Sequence, residues 1–336
     1  MNVTCIFLSY NCERFVAEAL RSLLAQDFAE PMEVLVSDDA STDSTFAVIQ
    51  DLLRDYRGPH EIRVIRQPRN TGSKSAHLNK VFPLASGEVL VSFDADDISE
   101  PQRVRRTVEV FRRDQNVMAV YSRLVTIDET GRPIGPGRVP QRPEGVPASR
   151  WYAKVDVYAS GGTLAVHRDV VTSFPPLDPD IYEDVVLPFR ASLLGDVFFL
   201  DEPLIRARRH SSSLTADFDQ FSSLADYRAR MERGMEKVRA QLASRLADIE
   251  VARRRAPARE AEWRELERIA RASLSDAEQT IPLWSEPPVA RWAAFARLAL
   301  AGRHGRDLLQ HAAIAFAPEA YLRYKRRRLS ADIDGS

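Results

Sequence analysis

Two acidic clusters carry the first readable chemistry. Asp94-Ala95-Asp96-Asp97 sets three carboxylates within four residues, directly after the run Val89-Leu90-Val91-Ser92-Phe93. Carboxylates this close repel strongly in any partly buried setting. A hard divalent cation with oxygen ligands answers that repulsion, and short Asp side chains on a tight turn suit the geometry of Mg²⁺ or Mn²⁺. Such a cation bridges anionic substrates, diphosphates above all, and stabilises charge on a leaving oxygen. A solvated acidic turn is the competing account of a lone D-x-D. Its place after an apolar strand, beside a second acidic strand end, favours the metal. That second cluster is Asp38-Asp39, following Met32 to Ser37. Two adjacent carboxylates there need a partner: a nucleobase, a ribose donor or an arginine. Ser41 or Thr42 behind them reads as the cap of the next helix.

The elements that must position these groups follow from periodicity. Val3 to Leu8, Met32 to Val36, Ile62 to Ile65 and Val89 to Phe93 are short apolar or β-branched runs, as expected of strands buried on both faces. Helix-spaced residues lie between them: Phe15, Ala19 and Leu23; Phe46, Ile49, Leu53 and Tyr56; Val104, Val108 and Phe111, with Ser99 as N-cap and Pro101 in the first turn. This alternation predicts an α/β fold, a mostly parallel, doubly wound sheet with helices on both faces and its sites at the carboxyl ends of the strands. From Gly131 to Pro147, nine of seventeen residues are Gly or Pro, which predicts a long irregular loop serving as a lid or substrate wall. Short strands near Thr163 to Val166 and Val197 to Leu200 flank a predicted helix from Tyr182 to Leu194.

After Thr215 the pattern changes. Residues 217–278 hold 13 basic and 13 acidic residues with Met231, Met235, Val238, Leu242, Leu246 and Ile249 at helical spacing, and Pro257 divides them into two helices. The expected division is 1–215 for the α/β domain, its nucleotide half about 1–125 and its acceptor half about 126–215, with 216–336 as a helical region. The net charge of −1 argues against a surface built to grip nucleic acid. It is unevenly spread, though: Val289 to Leu329 carries nine basic and two acidic residues, a local +7 that leaves −8 on the rest. Two cysteines, Cys5 and Cys12, exclude a disulfide framework or a Cys-rich zinc site. Neither a membrane-length apolar run nor a basic leader is present, so the chain reads as cytoplasmic.

Several motifs, in order, resemble the family 2 glycosyltransferases of the GT-A fold. They are Ser9-Tyr10-Asn11, Val36-Ser37-Asp38-Asp39-Ala40-Ser41, Asn70-Thr71-Gly72 with Asn79, Ala85-Ser86-Gly87-Glu88, and Phe93 to Asp97 with Pro101. The resemblance spans roughly residues 1–215 and implies transfer of a sugar, with inversion, from a nucleotide diphosphate donor, here expected to be UDP-linked. It implies donor contacts at Ser9, Tyr10, Asn11, Asp38, Asp39, Asn70, Gly72, Lys74, Asn79, Asp94 and Ala95, with Asp39 and its neighbour Asp38 at the base. It makes Asp94 and Asp96 the D-x-D that holds ribose and metal, and His210 a further metal or diphosphate ligand; imidazole suits Mn²⁺ better than Mg²⁺. Glu183-Asp184 is similar to the family's E-D element. Inverting transfer needs a base on the acceptor side, so Asp184 is the expected base with Glu183 as its orienter; the competing account is that acids simply favour a helix N-terminus. Arg206, Arg208 and Arg209 are candidates to offset diphosphate charge, and Gly161-Gly162 allow either close backbone approach or a tight turn.

Departures narrow the type. Ala40 replaces the usual glycine, a change the turn should accommodate. No Q-x-x-R-W follows the E-D element and no membrane helices are present, so one sugar added to a glycan or lipid-linked acceptor in polysaccharide biosynthesis is expected rather than processive synthesis. Trp292, Phe295, Leu298 and Leu300, then Ile314, Phe316, Tyr321 and Leu322, accompany the basic residues of the tail. Two accounts stay open for them: a helix pair on the anionic inner membrane face, or a structural cap. The charged helices before them could equally build a homodimer. A nucleotidyltransferase and a non-catalytic scaffold are the alternatives for the whole chain. Against the first stands the absence of a glycine-rich basic loop at Ser9 to Arg14.

Overall fold

The computed structural model describes residues 1–137, 139–154, 157–210, 224–283, 288–300, 312, 317 and 319–321. The elements run β1 (Val3–Ser9), α1 (Val16–Leu24), β2 (Glu33–Asp38), α2 (Thr45–Leu53), β3 (Glu61–Arg66), α3 (Lys74–Val81), β4 (Val89–Asp94), β5 (Ile98–Ser99), α4 (Arg103–Arg113) and β6 (Val117–Ile127). There follow β7 (Pro133–Pro136), α5 (Ala148–Tyr152), β8 (Ala165–His167), α6 (Asp169–Thr172), α7 (Glu183–Leu194), β9 (Asp196–Arg208), α8 (Leu224–Arg255), α9 (Glu260–Thr280) and α10 (Pro288–Leu300).

One sheet in the order β3-β2-β1-β4-β8-β6-β9-β5 organises the α/β part, with β7 paired to β6. The strands β3, β2, β1 and β4 are mutually parallel; β8 then runs antiparallel between β4 and β6, and β6 pairs β9 in parallel. The sheet is thus mixed, with a run of four parallel strands at one side, where the expectation was a mostly parallel one. Every residue of β1 is buried, because alternate side chains feed two different layers. Val3, Cys5 and Phe7 join Val16, Leu20 and Leu23 of α1, Ile49 of α2 and Val104, Val108 and Phe111 of α4 in one core. Ile6 and Leu90 look the other way, toward Leu78 of α3 and Leu187 of α7. β3 departs from the expectation of a strand buried on both faces: as an edge strand it leaves Val64 exposed.

Register puts the acidic clusters on one rim. Ser9 pairs with Asp38 and Leu8 with Asp94, so the carboxyl ends of β1, β2 and β4 stop level with one another. Beyond Asp94 the chain turns into β5, which pairs antiparallel with β9, Ile98 opposite Arg206, and so brings the 94–97 turn against the end of β9. That pairing also overturns the expected cap at Ser99. The sheet claims Ser99; α4 begins at Arg103 with Gln102 as an N-cap that makes no side-chain bond, and Ser99 Oγ accepts from Arg103 Nη1 at 3.0 Å instead. Likewise neither Ser41 nor Thr42 caps α2, which starts at Thr45 behind Ser44. Among the described residues the Gly- and Pro-rich loop is irregular except for β7, which lies antiparallel along β6.

The chain forms two compact units. The first takes residues 1–210 and also residues 247–266, the end of α8 and the start of α9. This inserted segment is held to α7 by polar contacts: Arg190 Nε meets Asp248 Oδ2 at 2.9 Å with both side chains almost wholly buried, and Arg259 Nη1 donates to the Leu193 carbonyl at 2.9 Å. Trp263 is fully buried and donates to the Ala256 carbonyl. In the second unit, residues 211–246 and 267–336, Leu242, Leu283, Ala294 and Leu298 are buried, while Trp292 is exposed. No helix among the described residues is long and apolar enough to cross a membrane. Of the tail residues read from the sequence, Arg303, Arg306, Ile314, Phe316, Leu322, Arg323, Lys325 and Arg326 to Arg328 lie outside the described residues, as does the boundary near Thr215.

Candidate active site

The β1 and β2 ends are laced together. Asp38 is buried and accepts from the Ser41 amide at 3.0 Å, from Ser41 Oγ at 2.5 Å and from Ser9 Oγ at 3.3 Å; Arg66 Nε stands 3.7 Å away. Asp39 accepts from the Thr71 amide at 3.0 Å and Thr71 Oγ1 at 2.8 Å, while Asn70 Nδ2 reaches the Asp39 carbonyl at 3.4 Å. The compensating partners for these carboxylates are therefore hydroxyls, amides and an arginine. Thr71, inside the Asn70-Thr71-Gly72 motif though outside the expected donor contacts, is the residue that fixes Asp39. Asn11 and Ala40 both adopt left-handed backbone, φ 46° and 58°. Asn11 tolerates it and uses its side chain to accept from the Thr42 amide at 2.9 Å; Ala40 takes the conformation against its intrinsic preference. Gly72, at φ 89°, follows Asn70 Oδ1 in the turn that opens α3. Tyr10 projects from this rim, about half exposed.

The second cluster faces two sets of cations and donors. Asp94 is held by Lys74, whose Nζ lies 2.6 Å from Oδ1. Asp97 Oδ1 accepts from the Arg208 amide at 2.9 Å. Asp96 Oδ2 lies 3.1 Å from His210 Nε2, and the His210 ring packs on Phe15 with centroids 4.8 Å apart. Burial, and then the neighbouring charges of Asp96 and Asp94, push the Asp97 carboxyl well above the carboxylate range. Burial raises Asp94 as well, against the pull of Lys74. Beneath the turn, Arg103 is fully buried: Nη2 donates to the Ser92 and Gly162 carbonyls at 2.6 Å each, with the guanidinium over the Phe93 ring. Sequence reasoning missed Arg103; only its place on the apolar face of α4 could have marked it.

Glu183 and Asp184 open α7 across from these groups. Glu183 is buried and its Oε1 lies 3.0 Å from Lys74 Nζ. The Asp184 carbonyl accepts from Ala159, and its side chain is pushed up to about 8, by burial first and by the Glu183 charge second, with Lys74 opposing. Burial disfavours the charge of Lys74, yet the Asp94 and Glu183 carboxylates outweigh it and hold the ammonium far above the lysine range. The glycines Gly161-Gly162 form a short 3₁₀ turn over this group. A Cβ on Gly161 would stand 2.3 Å from Glu183 Oε1, and one on Gly162 would stand 3.0 Å from Asp97 Oδ2 and 3.1 Å from Asp94 Oδ2. Close approach is what these glycines permit.

The fold does not bring every expected side chain here. Asn79 is turned to the Leu177 backbone, donating to its carbonyl at 2.7 Å and accepting from its amide at 2.8 Å. Arg208 is buried and ties Glu18, the Asp96 carbonyl and the Asp128 and Glu129 carbonyls together; Arg206 pairs with Glu100 at 3.0 Å. Arg208 is thereby committed to the fold, while Arg206 stays partly exposed beside Glu100. Ala95, between the two aspartates, is buried and donates its amide to the Leu8 carbonyl.

A model of glycosyl transferase family 2 matches residues 4–173, which contain β1 to β8 and both acidic clusters. The chain belongs to glycosyl transferase family 2. This transferase is 29% identical, over 70% of its length and 73% of the relative's, to the uncharacterized glycosyltransferase alr2836 of Nostoc sp.. It is 33% identical to the chondroitin synthase of Escherichia coli, over 38% of its own length and only 18% of the synthase. Among solved structures it resembles S. aureus TarS 1-349 in complex with UDP-GlcNAc, with a TM-score of 0.55 at 17% identity over 99% of this chain and 92% of that one. It also resembles the mannosyltransferase PcManGT of Pyrobaculum calidifontis in complex with GDP-Man and Mn²⁺, with a TM-score of 0.51 at 18% identity, over 97% and 86%. These likenesses establish the fold. Family membership sets aside the nucleotidyltransferase alternative.

The donor set fits a divalent cation. Among the described residues no three His, Cys, Asp or Glu side chains converge as a complete ligand set. Mg²⁺ and Mn²⁺ sites of nucleotide enzymes commonly use one or two protein ligands and take the rest from phosphate and water. Asp96 and His210, already side by side at 3.1 Å, with Asp94 two residues away, are the side chains that would hold such a cation.

Proposed function

We propose that this chain is an inverting glycosyltransferase that moves one sugar from a UDP-linked donor to a hydroxyl of a glycan or lipid-linked acceptor in polysaccharide biosynthesis, working at the cytoplasmic side of the membrane. The observation that carries the proposal is the arrangement of Glu183-Asp184 at the start of α7 against the acidic turn, with Lys74 bridging Asp94 and Glu183. On this reading Ser9, Tyr10, Asn11, Asp39, Asn70 and Gly72 form the donor's nucleoside side. Asp96 and His210, with Asp94 beside them, hold Mn²⁺ or Mg²⁺. When bound, that cation neutralises charge on the departing diphosphate.

Asp184 takes the proton of the acceptor hydroxyl as its oxygen attacks the anomeric carbon. The bond from that carbon to the diphosphate oxygen breaks on the opposite face, the nucleoside diphosphate leaves with the bonding pair, and the anomeric configuration inverts. Glu183, held by Lys74, keeps the first turn of α7 in place. A scaffold without catalysis leaves unexplained why a half-buried lysine, Lys74, should bridge Asp94 and Glu183 beside Asp184.

The test is a thermal-shift screen of nucleotide sugars with and without Mn²⁺, since a ligand that binds only the folded state raises Tm. Donors that stabilise are then offered with acceptor analogues, and the product's anomeric coupling is read by NMR. Stabilisation by UDP-sugars only in the presence of Mn²⁺, and an inverted product, are expected. Equal stabilisation in excess chelator sinks the cation assignment, and a retained anomer sinks the mechanism.

A further inference from the structure

Lys74 leaves the backbone at a fixed point. Ser73 caps α3 by accepting from the Ala76 amide at 3.2 Å, and the preceding turn is anchored by the bonds of Thr71 to Asp39. From there the ammonium reaches both sides of the site, 2.6 Å from Asp94 Oδ1 and 3.0 Å from Glu183 Oε1. Asp94 ends β4 on the donor side; Glu183 begins the helix that presents Asp184. The Gly161 turn closes over the bridge so tightly that a Cβ there would fall 3.2 Å from Lys74 Nζ as well as on Glu183. A compact point charge with three rotatable donors suits such a span. Without it, Asp94, Glu183 and Asp184 would be left in one enclosed space with mutual repulsion as the dominant force between them.

We propose that Lys74 is a positioning residue of the transfer reaction: its ammonium bridges Asp94 and Glu183 and so fixes the turn carrying Asp184 relative to the donor-side carboxylates. The proposal rests on the transferase reading and gives Lys74 a role through Glu183 rather than on the donor itself. It also predicts competition, because the lysine occupies a carboxylate beside the candidate cation site.

The experiment compares wild type, Lys74→Met, Lys74→Arg, Glu183→Gln and the double variant Lys74→Met/Glu183→Gln, as full chains. With a donor that supports wild-type transfer, Lys74→Met should lower kcat by about 10²-fold while donor KM moves less than about threefold. Glu183→Gln should reproduce most of that loss, and the double variant should fall no further than Lys74→Met, as two residues of one unit do. Lys74→Arg keeps the charge and should recover about a tenth or more of the wild-type rate. Titration of Mn²⁺ alone, without nucleotide, should show Lys74→Met binding about tenfold tighter once Asp94 is released.

A kcat for Lys74→Met within threefold of wild type, a loss confined to donor KM, or losses that multiply in the double variant would each overturn the bridge. Should Lys74→Met fail to fold, Glu183→Gln decides, an unchanged kcat being fatal. A wild type that transfers from no donor overturns the transferase reading. The Mn²⁺ titration then still judges the bridge, and unchanged affinity ends it.

Discussion

Replacing Asp184 by asparagine removes the one oxygen that titrates while keeping the size of the side chain. In the folded protein burial and the Glu183 charge raise this carboxyl to about 8. A group with that pKa is about one-tenth ionised at pH 7 and about nine-tenths ionised at pH 9, so a rate limited by proton acceptance climbs about ninefold between them. Asp184→Asn should lower turnover by about 10² to 10⁴ and flatten this limb. The same shift has a consequence for stability. The folded pKa lies above the unfolded value of about 3.9, so the neutral carboxyl favours the fold below about pH 4, and this contribution is lost as pH rises toward 8. Asparagine never ionises, so the Tm of the variant should gain on wild type from about pH 4 to 8 and hold its lead above that. Initial rates at saturating donor from pH 6 to 9.5, with calorimetry over the lower range, measure both effects. An asparagine variant within a few-fold of wild type, or one that keeps the ascending limb, refutes the assignment of Asp184 as base.

Gly161→Ala drives a methyl onto Glu183 Oε1; it should destabilise by about 1–3 kcal/mol, as overpacking does, and lower kcat, which a denaturant melt with steady-state kinetics will register. Asp248→Ala strands the buried Arg190 guanidinium and should cost about 3–5 kcal/mol in urea unfolding; a loss under about 1 kcal/mol would show that water reaches the pair. Ala40→Gly relieves about 1 kcal/mol of left-handed backbone strain against about 0.5 kcal/mol of added unfolded-state freedom. A small rise in Tm should follow, and a fall would mean that the Ala40 methyl packs favourably.

Strand ends were legible because a strand buried on both faces is a continuous apolar run, and a carboxylate at its close stands out against it. Asp38, Asp39, Asp94 and Asp96 needed no more than that, whereas Glu183-Asp184, which by itself reads as an ordinary acidic helix start, stood out only through the family resemblance. What pairs with them was not legible. Thr71 with Asp39, Lys74 with Asp94 and Glu183, and Arg103 with the Ser92 and Gly162 carbonyls join residues 11 to 109 positions apart. No local period links such residues; only the sheet register does. Caps misled for a related reason. Ser99 and Ser41 have the right chemistry for a helix start, but strand pairing took one and the Asp38 carboxylate the other. The edge strand β3 carries its own signal in Glu61, Arg63 and Arg66, which the apolar Ile62, Val64 and Ile65 between them masked.

The first compact unit is interrupted in sequence, and that orders events during synthesis. Chains emerge from the N-terminus and domains fold as units. By His210 every side chain of the candidate site has been made, yet Arg190, on the helix that begins with Glu183, still lacks its counter-charge. That charge arrives only with Asp248, and Trp263 follows fifteen residues later. A nascent chain of 210 residues therefore holds the side chains of the candidate site before the ion-pair partner of Arg190 has been made. The first compact unit is complete only once residues 247–266 have been made, so its last contacts come from a segment far from the candidate site in sequence.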